Sequence, residues 1–181
     1  MALKSQDVFV TLRLAANGPR PAYARLASEL GMSASEVHAS VKRAEMAGLL
    51  HGAEMNHRPN FASIEEFLVH GLKYAFPASR GGMTRGVPTS YAAEPLRRIV
   101  EAGSEPIPVW PSETGTKRGI ALQPLYRRAP AAALRDATFY QYLTLADALR
   151  DGRMRERKYA EIELRNRLRE ASEKLRAESS Y

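Results

Sequence analysis

The chain has 181 residues, 44% of them hydrophobic and 26% charged, which suits one large domain or a small domain with an accessory one and excludes general disorder. A net charge of +7 favours a polyanionic partner, and the absence of cysteine excludes disulfides, thiolate metal sites and a cysteine nucleophile. No stretch approaches the roughly 18 consecutive apolar residues of a membrane span, and the opening MALKSQDVFV has no signal-peptide core. These features predict a soluble cytoplasmic protein with no membrane partner.

In chain order, the first helix is expected from Ser5 to Ala16, with Val8, Leu12 and Ala15 or Ala16 on one side and Asn17, Gly18 and Pro19 ending it. Pro21 opens a second helix, Ala22 to Leu30, carrying Tyr23, Leu26, Ala27 and Leu30 at helical spacing. Gly31 suits the left-handed residue that ends it. Ser33 then caps a third helix and forms a capping box with Glu36. Val37, Val41 and Ala44 share one face of this helix, Gly48 closes it, and Leu49 and Leu50 begin a short strand. After the polar HGAEMNHRPN, a second capping box at Ser63–Glu66 opens a helix through Tyr74 bearing Ile64, Phe67, Leu68 and Leu72.

Residues 76–95, FPASRGGMTRGVPTSYAAEP, read as a long Gly- and Pro-rich loop. Residues 94–102 make one or two helical turns, and PIPVWPSETGTKRGIALQPL predicts a β-hairpin turning at Ser112–Gly115. From about Pro130 two helices finish the chain, broken near Asp151 and Gly152. The first carries Leu134, Phe139, Tyr142, Leu143, Leu145 and Leu149. The second carries a stripe of Ala160, Leu164, Leu168, Ala171 and Leu175.

Helices two and three have the parts of a helix-turn-helix: a small residue at the crossing (Ala27), a turn glycine four residues on (Gly31), and an apolar residue six further (Val37). Leu26, Ala27, Leu30-Gly31-Met32-Ser33, Ser35, Val37, Val41-Lys42-Arg43, Glu45 and Gly48-Leu49-Leu50 match the pattern LA..LGMS.S.V...VKRLE..GLL. On these residues the stretch from about 5 to 52 resembles the winged-helix transcriptional regulators of the MarR and Lrp/AsnC type. The resemblance implies a bacterial regulator, with the third helix in the major groove of double-stranded DNA and a homodimer reading two half-sites. Helical projection turns Ser35, Ala39, Lys42 and Met46 outward, flanked by His38 and Arg43. Ser33 and Ser35 are expected at phosphates, Ser35, His38 and Ala39 at base edges, and Lys42 and Arg43 at phosphates or guanine. Only about ten residues, His51 to Asn60, remain for a wing, with Arg58 its one permanent cation, so any wing is short. No Lrp/AsnC-type ligand domain follows.

Elsewhere the signals are weaker. Arg80 and Arg85 among glycines, and Lys117 and Arg118 in the hairpin, are candidates for an anion or partner contact, set against a plain solvated loop. Trp110, with Tyr91 and Tyr126, is a candidate anchor for a protein partner. The cluster Arg150, Arg153, Arg155, Arg157 and Lys158 is either a DNA-flanking surface or a solvated helix with internal ion pairs. The last stripe fits a dimer helix or a helix packed on its own body, and we lean to the dimer. No nucleophile elbow, paired-carboxylate motif or dinucleotide fingerprint appears, and His51, Glu54 and His57 fall in a loop. No catalysis, metal or cofactor is expected.

The expected fold is mainly α (α+β). Residues 1–60 form a winged-helix-like DNA-binding domain. Residues 61–130 hold a helix, a basic Gly-rich loop and a β-hairpin, and residues 131–181 a helix pair that dimerises or packs on the body. The function expected is sequence-specific transcriptional regulation. The alternative is an adaptor or antitoxin-like protein whose second half binds a partner protein.

Overall fold

The computed structural model describes residues 2–18, 21–101 and 103–178 and is mainly helical with one small sheet. Helix α1 (Ser5–Asn17) starts where the Asp7 carboxylate accepts the Lys4 amide at 2.7 Å and stops at Gly18, with φ +78°; Pro19, expected to help end it, lies outside the described residues. Every residue from Asp7 to Ala15 is buried, so α1 is enclosed on all sides rather than along one stripe. It packs on α3 (Ala34–Met46) and also on α7 (Ala137–Asp151) and α8 (Met154–Glu178).

Helix α2 (Tyr23–Leu30) ends at Gly31, whose φ of +65° favours glycine, and the Met32 amide reaches back to the Ala27 carbonyl at 2.9 Å. The expected capping box opens α3, with the Glu36 amide donating to Ser33 Oγ at 3.2 Å and the Ser33 amide to Glu36 Oε2 at 2.8 Å. Gly48, at φ +76°, closes α3 as the Leu49 amide returns to the Ala44 carbonyl at 2.9 Å. A minimal antiparallel bridge, Leu50 to Pro59, then carries the turn 51–58. The next helical run begins earlier than expected, because Asn60, not Ser63, is its cap, accepting the Ser63 amide at 3.3 Å. It passes from α4 (Phe61–Glu66) through a wider π turn (Phe67–Gly71) into α5 (Leu72–Ala75).

The sheet departs from the sequence expectation. The stretch read as a Gly-rich loop is largely strand β1 (Arg80–Pro88). Strands β2 (Pro108–Pro111) and β3 (Lys117–Leu122) exist, but they are not a hairpin. Both lie antiparallel to β1, with Val87 opposite Trp110 and Arg85 opposite Arg118, and they run parallel to each other, Pro108 beside Ile120. Three strands thus close into a miniature barrel. Closure this tight explains the glycines: a Cβ on Gly86 would stand 2.0 Å from the Trp110 carbonyl oxygen, and one on Gly119 2.0 Å from that of Ile107.

A buried polar hub fastens the barrel to α7. Asp147 accepts from Thr89 Oγ1 at 2.7 Å, Trp110 Nε1 at 2.6 Å and Arg150 Nη2 at 2.7 Å. Arg150 also donates to the Gln123 carbonyl at 2.8 Å. Burial pushes the Asp147 carboxyl pKa up, against the pull of Arg150 and of the donors from Thr89 and Trp110.

The apolar core runs without a break from Val8 to Leu168, so it crosses the expected boundaries at residues 60 and 130. Short helix α6 (Ala129–Ala133) sits against α2 and α7. Leu134, expected inside, is 54% exposed because α7 starts only after the Asp136 cap. The α8 stripe is covered by the protein's own body: Ala160, Leu164 and Leu168 are buried in the common core, and Arg165 pairs with Glu65 of α4 at 2.9 Å. Of the two arrangements expected for that stripe, these residues take the packing on the protein's own body, with Ala171 half-buried beyond them.

Candidate nucleic-acid interface

Helix α3 divides cleanly into two sides. Val37, Val41 and Ala44 are fully buried, and Ser40 and Arg43 join them. Ser33, Ser35, His38, Lys42 and Met46 are exposed, and Ala39 is half-buried among them. The projection from sequence thus places five of its six contact candidates on the open side.

Arg43 is the exception. Its side chain is 6% exposed and meets Asp7 with two hydrogen bonds, Nε to Oδ2 at 2.8 Å and Nη2 to Oδ1 at 2.6 Å. Asp7 raises the Arg43 pKa above its ordinary value. Arg43 is therefore a strut between α3 and α1 rather than a cation facing solvent. One step of about 100° around the helix separates it from Lys42, and that step decides between core and solvent.

Neighbouring groups steady the open side. The His38 ring meets Tyr23 of α2 edge-on, centroids 5.3 Å apart. Lys42 Nζ lies 3.4 Å from Glu45 Oε2, and Glu45 also holds Nδ1 of His57 in the turn 51–58. That turn is thereby tied to α3. His57 is engaged there, and no cluster of three metal-ligating side chains occurs among the described residues. At the N-terminal end, the Ser33 amide and hydroxyl hold the Glu36 carboxyl below its usual range, with further lowering by Arg127 and Arg128. Ser33 thus spends both its amide and its hydroxyl on Glu36.

These two arginines were not singled out by any motif. They lie in the turn between β3 and α6, both exposed, and the Arg128 Cδ stands 3.5 Å from where a Cβ on Gly31 would be. Arg128 therefore covers the turn of the helix-turn-helix. The only signal in the sequence was the pair itself, YRRAP, just ahead of a proline that starts a helix. Nothing local could assign it to α3.

The second set of candidates is redistributed. Arg80 makes a forked contact with Asp151, with Nη2 to Oδ2 at 2.6 Å, and Arg85 Nε donates to the Gly115 carbonyl at 2.6 Å. Lys117 and Arg118 stay exposed on β3, with Arg118 facing Arg85 across the strands. Trp110 is 1% exposed and bound to Asp147, so it is no surface anchor. Tyr126 packs on Phe9 at 5.2 Å, and Tyr91 is half-buried. The cluster 150–158 is dispersed: Arg150 is tied to Asp147, Arg153 to Glu105, and Arg155 rests on the Tyr159 ring.

Among the described residues no helix is long and apolar enough to cross a membrane. The chain matches no protein-family description, no curated protein and no solved structure.

Proposed function

We propose that this protein is a double-stranded DNA-binding transcriptional regulator that lays α3 in the major groove. One observation carries the reading: α3 presents Ser35, His38 and Lys42 to solvent while Arg43 and three apolar residues anchor its other side. A helix seated by a buried ion pair is held at a fixed angle, which base-edge contacts require. Lys42 supplies a phosphate or guanine contact, and Ser35 and His38 face base edges. With Arg43 turned inward, α3 has no exposed arginine to fork onto guanine, so sequence choice falls to Ser35, His38 and Ala39. The short turn 51–58 adds at most Arg58, half-buried, at a phosphate.

The test is fluorescence anisotropy on a duplex from the DNA upstream of the gene and on a scrambled one, at two salt concentrations. Binding that prefers the native duplex, and loses that preference in His38→Ala, supports the reading. Equal, weak binding to both, erased by modest salt, refutes it, because charge alone would account for it.

A second reading, an adaptor that docks an acidic protein partner, draws on Arg85 facing Arg118 beside exposed Lys117. Like charges directly opposite on paired strands repel unless an anion joins them. Loss of partner capture from Arg118→Ala, with DNA binding absent, would favour it.

A further inference from the structure

The turn after β3 brings two cations to the helix-turn-helix from a part of the chain about a hundred residues away. The turn is firmly seated. Leu125 is 5% exposed, the Tyr126 ring lies against Phe9 of α1, and the Ala129 amide closes the turn on the Tyr126 carbonyl at 2.9 Å. Beyond it, Ala129, Pro130, Ala132 and Ala133 are buried as α6 docks. Residues 127 and 128 sit between these two anchors, both exposed, on the side of the molecule where Glu36 lies. Many of the chain's arginines meet a carboxylate, Arg13, Arg25, Arg43, Arg80, Arg150 and Arg153 among them. Arg127 and Arg128 form no such ion pair among the described residues, acting on the Glu36 carboxylate only at longer range, and the Arg128 stem lies over Gly31 just before α3 begins.

We propose that Arg127 and Arg128 grip the phosphate backbone of the duplex beside the N-terminal end of α3, making the turn between β3 and α6 part of the DNA-binding surface. The proposal rests on the DNA-binding reading above and deepens it. The backbone there is pinned on both sides, so little ordering of the main chain accompanies binding. Two exposed guanidiniums beside the expected groove-reading helix fit phosphate oxygens, which arginine meets in a fork. Such contacts fix position and add affinity without reading sequence.

The experiment measures salt-dependent anisotropy binding to the same native and scrambled duplexes. It compares wild type, Arg127→Ala/Arg128→Ala, Arg127→Glu/Arg128→Glu, Lys42→Ala and, as a remote control, Arg157→Ala/Lys158→Ala. Circular dichroism melts check that each variant folds, as expected where Arg157 is half-buried and the other positions are exposed. Loss of two phosphate contacts should flatten the log–log salt slope by about 1.8 and weaken binding roughly 10- to 60-fold at about 0.1 M salt. The weakening should be equal on both duplexes, the glutamate pair should abolish binding, and the control should leave the slope unchanged. A slope and affinity like wild type in the alanine pair, while Lys42→Ala weakens binding, overturns this proposal and leaves the DNA-binding reading standing. Wild type that binds neither duplex overturns both.

Discussion

Arg43→Ala is the sharpest test of how α3 is held. Asp7 is fully buried and Arg43 5% exposed, and truncating Arg43 leaves the Asp7 carboxylate without its two guanidinium hydrogen bonds. Breaking a buried pair by removing one partner costs about 3–5 kcal/mol, because the other charge stays desolvated. For a chain of this size each kcal/mol lowers the melting temperature by about 2–4 °C, so a drop of roughly 6–20 °C is expected. Asp7→Asn/Arg43→Met removes both charges, and its loss should be smaller than the two single losses added. Thermal and urea denaturation followed by circular dichroism measure this, and Lys42→Ala is the neighbour control. Lys42 is 49% exposed, so its removal should leave the melt within about 0.5 kcal/mol of wild type. If Arg43→Ala melts with wild type while losing DNA affinity outright, the strut is refuted and Arg43 belongs to the groove side.

The other expectations concern the barrel and its seat. Gly86→Ala and Gly119→Ala each drive a methyl to 2.0 Å from a backbone carbonyl oxygen and should cost about 3 kcal/mol or more, whereas Gly82→Ala, with open space around it, should be nearly neutral; equal denaturation midpoints for all three would contradict the closed geometry. Asp147→Ala strands Arg150 in the interior and should lose about 3–5 kcal/mol, with the emission of Trp110, the chain's single tryptophan, shifting to the red; an unchanged spectrum and midpoint would dismiss the hub. Burial raises the phenol pKa values of Tyr140 and Tyr142 from 10.0 to about 12. The folded state then holds protons that the unfolded state releases, so stability is intact below pH 10 and falls as pH rises through about 12. Phenolate absorbance should show two tyrosines that titrate only with alkaline unfolding, and normal titration of all of them at pH 10 in the folded protein would rule this out.

Elements with local signals were legible in the sequence. Capping residues, turn glycines and apolar spacing put α1, α2 and α3 close to their observed bounds and the break between α7 and α8 near Asp151 and Gly152, since a helix closes its hydrogen bonds within a few residues, whereas the start of α7 was expected near Pro130 and lies at Ala137. The barrel was not legible, because its strands pair β1 with residues 21 to 42 positions away and glycine there serves close approach rather than a loop. Arg43 was misread for the same reason: its partner Asp7 is 36 residues back, and an arginine next to a lysine gives no sign of burial. Trp110 went from surface anchor to core through an aspartate 37 residues on. The exposed side of α3 was legible because it is simply what the buried stripe leaves over.

Helix α1 touches α3 by one flank and α7 and α8 by another, with Asp7 through Ala15 all out of water. A fragment ending at residue 60 would lay bare Phe9 and the side chains that pack on Phe139 and Tyr126, and would aggregate rather than fold as a portable unit. Drift along VFVTLRLA is likewise doubly constrained, since each substitution must suit two sets of neighbours at once. Grafting α3 onto another scaffold would have to carry the second half along with it.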